Sequence, residues 1–128
     1  MHKSRLGAIV LDCRTNDLDQ DARFWGRVLG YEVQGVVEPG NERYRELTAE
    51  PGEPNVLLQS VDHPSRVHLD IETDDVEAEV QRLEGLGATR VEKIRAWWVM
   101  EAPTGHRFCV VPPQRSDFET GATVWGED

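Results

Sequence analysis

The sequence is short of the features that would place it at a glance. It has only two cysteines, Cys13 and Cys109. They are too few and too far apart for a disulfide framework or a paired-cysteine zinc site, so buried free thiols are the simplest expectation for both. No apolar run approaches the roughly 20 residues that a membrane-spanning helix requires. The N-terminal Met1-His2-Lys3-Ser4-Arg5 lacks the apolar stretch and small-residue cleavage site of a secretory signal, and the expected location is cytoplasmic. Basic residues are scarce beside acidic ones, 14 against 24, for a net charge of −10. A field of that sign repels nucleic-acid backbones and anionic lipid, so neither nucleic acid nor membrane is expected as a partner. The carboxylate excess either concentrates cationic ligands or simply keeps a small domain soluble.

What is present is a repeat. Ile9-Val10-Leu11-Asp12-Cys13-Arg14-Thr15-Asn16-Asp17 returns as Val67-His68-Leu69-Asp70-Ile71-Glu72-Thr73-Asp74-Asp75. Leu11, Asp12, Thr15 and Asp17 fall on Leu69, Asp70, Thr73 and Asp75, and Val10 falls where the second copy has His68. In both copies a strand-like alternation leads into an amphipathic helix. In the first, Ile9, Leu11 and Cys13 share the packing face. Asn16 or Asp17 then caps a helix whose stripe is Leu18, Ala22, Trp25, Val28 and Leu29, with Gly30 as its left-handed end. In the second, Val67, Leu69 and Ile71 are expected to pack while His68, Asp70 and Glu72 point away. Asp74 with Glu77 suggests an acidic capping box before the stripe Val76, Val80, Leu83, Leu86 and the terminal Gly87.

Each helix is followed by three short strand candidates. They are Tyr31 to Val37, Arg43 to Thr48 and Val56 to Val61 in the first half, and Ala88 to Ile94, Ala96 to Glu101 and Arg107 to Val111 in the second. Turn clusters such as Pro39-Gly40-Asn41 and Ala102-Pro103-Thr104-Gly105 separate them. The expected fold is α+β: two tandem βαβββ modules, about residues 5–61 and 66–112, paired into a curved, cup-forming mixed sheet. One domain would span residues 1–115, followed by a C-terminal tail, 116–128. The tail's Phe118, Val124 and Trp125 either pack back on the domain or a second subunit, or stay mobile.

Several motifs carry a family resemblance: Phe24-Trp25-Gly26-Arg27-Val28-Leu29-Gly30, Val67-His68-Leu69-Asp70, Leu86-Gly87-Ala88, and Ala102-Pro103-Thr104-Gly105-His106-Arg107-Phe108. Over about residues 5–112 they resemble the vicinal oxygen chelate superfamily, which includes glyoxalase I, fosfomycin- and bleomycin-resistance proteins and extradiol dioxygenases. The closest likeness is to its glyoxalase-like domain branch. The resemblance implies a cup in which His, Glu or Gln side chains from four strands hold one divalent metal. Carried onto this chain, those positions fall on Val10 or Ala8, on Gln59, on His68 and on Cys109. That set suits a hard ion poorly. The expectation is therefore a cleft without a firmly held metal, and a softer site of His68, Cys109 and His106 is the remaining metal candidate.

Asp12 and Asp70 occupy equivalent places in the repeat. They would act as an acid–base pair, hold a cationic ligand, or bond backbone groups or Arg14 and Arg66 nearby. His68 would contact a ligand or bond Asp70 or Gln59. Trp97 and Trp98, adjacent on one strand, point to opposite faces, and Trp98 is assigned to the cleft as an aromatic wall. The ligand-binding set is thus His68, Asp70, Asp12, Gln59, Cys109 and Trp98. The expected function is binding a small organic molecule, aromatic or cationic, by a homodimer, as in the bleomycin-resistance proteins. The alternative is a divalent-metal-dependent lyase, isomerase or dioxygenase with a remodelled site around His68.

Overall fold

Asp17 caps the first helix: its side chain accepts the Gln20 amide at 3.1 Å, and Gly30 closes the other end in the left-handed conformation, φ 74°. These geometries come from a computed structural model that describes residues 1–35 and 37–126. Val36, read from sequence as part of a strand, and the last two tail positions lie outside the described residues. Among the described residues, eight strands and three helices make the fold α+β. In chain order they are β1 (His2–Cys13), α1 (Leu18–Leu29), β2 (Tyr44–Leu47), β3 (Asn55–Ser60), β4 (Arg66–Thr73), α2 (Val76–Gly85), β5 (Thr89–Ile94), β6 (Trp97–Glu101), β7 (Arg107–Val111), α3 (Phe118–Gly121) and β8 (Thr123–Trp125). The chain divides into two compact units, Ile9–Val67 and Met1–Ala8 with His68–Asp128.

In the unit Ile9–Val67 the strand order is β2-β3-β1. Leu47 and Leu58 are fully buried against Leu18, Ala22 and Val56, with Leu11, Cys13, Trp25, Tyr31 and Val33 packed around them. Removing each leucine from water is worth about 2 kcal/mol. The α1 stripe is narrower than its sequence suggested, since Val28 and Leu29 remain exposed. Gly26 is what lets α1 lie close: a Cβ there would meet the Tyr31 carbonyl at 2.8 Å. The strand expected at Tyr31 to Val37 is reduced to a bridge between Val33 and Leu47, held by Gln34 N to Glu46 O and Thr48 N to Glu32 O. Glu32, Gln34 and Gly35 are exposed and bury too little to extend it.

The other unit has the order β8-β1-β4-β7-β6-β5. β4 and β7 are parallel, and β5, β6 and β7 are antiparallel neighbours. Val80 of α2 packs on Met100 and Val110, flanked by Val76, Leu83, Ala88, Trp98 and Phe108. The cap of α2 is Asp75, whose side chain accepts the Ala78 amide, rather than Asp74. Asp74 instead accepts the Lys3 amide at 2.8 Å. Because α2 lies over β5, β6 and β7, it leaves Leu69 of β4 43% exposed, contrary to its assignment to the packing face.

The tail folds back. β8 pairs with the start of β1, from His2 opposite Trp125 to Ser4 opposite Thr123. Phe118 is buried, Trp125 Nε1 donates to Ser4 Oγ at 2.8 Å, and the Arg82 guanidinium sits 3.8 Å over the Trp125 ring.

Candidate functional site

Strand alternation puts His68, Asp70 and Glu72 on one face of β4. The register pairs Asp70 with Cys109 on β7 and Cys109 with Val99 on β6, so these side chains, and Trp97 by alternation, share that face. The α2 cluster occupies the opposite face. On the face away from α2, His68, Asp70 and Cys109 converge: one ligand atom from each lies within 4.8 Å of the others. His68 Nε2 is 3.3 Å from Asp70 Oδ1, and the two side chains are only 11% and 14% exposed. Asp70 Oδ1 is buried and makes no hydrogen bond, so its approach to His68 is a close contact without the alignment of a hydrogen bond.

An imidazole nitrogen, a carboxylate oxygen and a thiol sulfur form a donor set suited to a borderline ion such as zinc and ill-suited to magnesium or manganese. Tetrahedral coordination at the usual bond lengths separates donors by about 3.4 Å. The orphaned carboxylate oxygen of Asp70 would gain a partner in such an ion. The residues fit such an ion.

Glu72, next on the same face, has a different task. It is fully buried and accepts from Arg5 Nε at 2.6 Å, Arg115 Nε at 3.1 Å, and the amides of Gln114 at 2.7 Å and Arg115 at 3.1 Å. Burial alone would raise its pKa, but the Gln114 amide, Arg5 and Arg115 outweigh it and hold the carboxyl below its ordinary value. Glu72 therefore stays ionised and ties the segment after β7 to β1 and β4.

Trp98 lies on the α2 face, with Arg90 5.0 Å over its ring, so Trp97 is the tryptophan that shares a face with His68. Asp12, only 4% exposed, accepts from Arg66 Nε at 3.4 Å, the arginine pairing foreseen from sequence. Gln59 donates to the Tyr44 hydroxyl at 3.2 Å, across the β2–β3 pair. Both belong to the unit Ile9–Val67. His106 sits in an exposed turn, Nδ1 2.7 Å from Thr104 Oγ1, and is not part of the His68 group. Ala8 and Val10 are buried apolar residues. The sequence signal missed for Trp97 was register: only the pairing of β6 with β7 decides which tryptophan faces which way.

The glyoxalase-like domain family matches residues 8–111. The chain belongs to this family, a branch of the vicinal oxygen chelate superfamily. Solved structures of similar fold include methylmalonyl-CoA epimerase from Mycobacterium tuberculosis, at TM-score 0.60 and 16% identity over 86% of this chain and 88% of that one. A Streptomyces coelicolor methylmalonyl-CoA epimerase variant in complex with 2-nitronate-propionyl-CoA matches at TM-score 0.56 and 17% identity, over 87% and 98%. A structure described as NAD-dependent benzaldehyde dehydrogenase from Legionella pneumophila matches at TM-score 0.59 and 9% identity, over 84% and 98%. At these identities the likeness is one of fold. No curated protein matches the sequence.

Proposed function

We propose that this chain binds a small organic molecule on the face carrying His68, Asp70 and Cys109, and that these three side chains hold a zinc-class divalent ion there. The convergence of their ligand atoms within 4.8 Å carries the reading. When bound, such an ion supplies a Lewis acid for a carbonyl or enediolate oxygen. The chain's own residues do the rest. Asp70 brings a carboxylate oxygen within 3.3 Å of His68 Nε2, where it serves as the anionic ligand. Cys109 selects a softer ion than an all-oxygen site would. Trp97 and Val99 give the face an apolar floor on which a planar ligand rests.

Lyase or isomerase chemistry on a carbonyl-bearing substrate fits this face, and the epimerase neighbour seen with a CoA ester makes acyl thioesters a sensible class to test. The working unit in this reading is a homodimer in the cytoplasm. Calorimetric titration of chelator-treated protein with zinc tests the metal half: saturable binding near one ion per chain is expected, lost in His68→Ala and retained in His106→Ala. Equal binding by wild type and His68→Ala would refute it.

A further inference from the structure

The unit Ile9–Val67 contains a cavity of its own. A crevice of about 390 Å³ opens at the end of β1, bounded by Leu11, Cys13, Trp25 and Val67 with the carboxyls of Asp12 and Asp21. Small-ligand sites of ordinary proteins begin at about 300 Å³. Asp12 Oδ2 accepts from Arg66, and Asp21 Oδ2 is buried and has no hydrogen-bond partner. An acceptor withdrawn from water and left unbonded is costly, and a donor brought in from outside removes that cost. Burial, then the charges of Asp21 and Asp12, push the Cys13 thiol pKa up, so both carboxylates act on one point of the crevice. Trp25 is held edge-to-face against Phe24, ring centres 5.2 Å apart, which orients an aromatic wall beside the acid.

We propose that this crevice binds a small organic cation, a primary ammonium on an apolar or aromatic body. Asp21 accepts from the ammonium, and Trp25, Leu11 and Val67 cover the body. The chain's net charge of −10 favours the same sign of ligand. Arg14 and Arg66 at the rim make an organic anion the rival occupant.

The test is amide and indole chemical-shift titration of the full-length, isotope-labelled protein with benzylammonium, benzyl alcohol and benzoate. Benzylammonium is expected to move the Trp25 indole and Asp21 amide signals saturably, with benzyl alcohol at least tenfold weaker. Asp21→Asn, whose spectrum also reports whether it folds, is expected to weaken benzylammonium tenfold or more. Asp19→Asn, an exposed acid paired with Arg45, and His68→Ala are expected to leave it unchanged. Equal binding of the alcohol, tighter binding of benzoate, absence of saturation, or an equal loss in Asp19→Asn would each overturn the proposal.

Discussion

His68 and Asp70 stand two residues apart on β4 with Nε2 3.3 Å from Oδ1, and that carboxylate oxygen has no hydrogen bond. A fold rarely leaves an ionisable oxygen buried and unbonded without a use for it. Asp70→Asn keeps the shape and removes the anionic donor. Since no hydrogen bond is lost, thermal stability should change by less than about 1 kcal/mol. Zinc affinity by titration should fall tenfold or more.

Glu72 gives a prediction of the opposite kind, large in stability and independent of metal. Breaking a buried charge network by removing one partner costs about 3 kcal/mol. Glu72→Gln leaves the Arg5 and Arg115 guanidiniums facing an uncharged amide, and denaturant unfolding should show a loss of that order. The pH dependence follows from the lowered pKa of Glu72 and of Glu79. For Glu79, burial raises it, and Arg82 and His2 more than compensate. The folded pKa lies below the unfolded one in both. Their stabilisation is therefore complete above about pH 4.5 and is lost as pH falls through the folded values. Glu72→Gln should flatten the acid limb of a stability-against-pH curve.

Gly26→Ala sets helix propensity against packing. Alanine is favoured over glycine within a helix by about 1 kcal/mol. Here its methyl would meet the Tyr31 carbonyl, a backbone atom that cannot rotate away. Overpacking of this kind costs about 1–3 kcal/mol, so a net loss in melting temperature is expected.

The tail should behave as part of the fold. Phe118 is 3% exposed, and its truncation to alanine should cost about 3 kcal/mol. Trp125→Phe removes the donor to Ser4 but keeps an aromatic ring under Arg82, and should cost about 1 kcal/mol. Chemical denaturation of both variants checks the order.

Much of this fold was legible in the chain. The repeat marked β1–α1 and β4–α2, and Asp17 and Gly30 capped α1 where local chemistry placed them. What was hidden depended on partners far away in sequence. Asp74 and Asp75 are equally good caps by composition, and Asp75 prevails while Asp74 is occupied by the Lys3 amide. Trp98 faces α2 because Met100 pairs with Phe108, a register that neither strand declares alone. Glu72 read as a cleft residue, since its four donors come from Arg5 and from the segment after β7. At the site, His68 and Asp70 were visible as neighbours on one strand face. The approach of Cys109 to them required the parallel β4–β7 pairing.

The most direct test of the His68–Asp70–Cys109 centre is the absorption spectrum of the cobalt(II)-loaded protein. A thiolate ligand adds sulfur-to-cobalt charge-transfer absorption that nitrogen and oxygen ligands lack. About one cobalt per chain with that absorption is expected, the band vanishing in Cys109→Ser and the ion itself lost in His68→Ala. Cobalt bound without the thiolate band, or bound equally well by His68→Ala, would contradict the account.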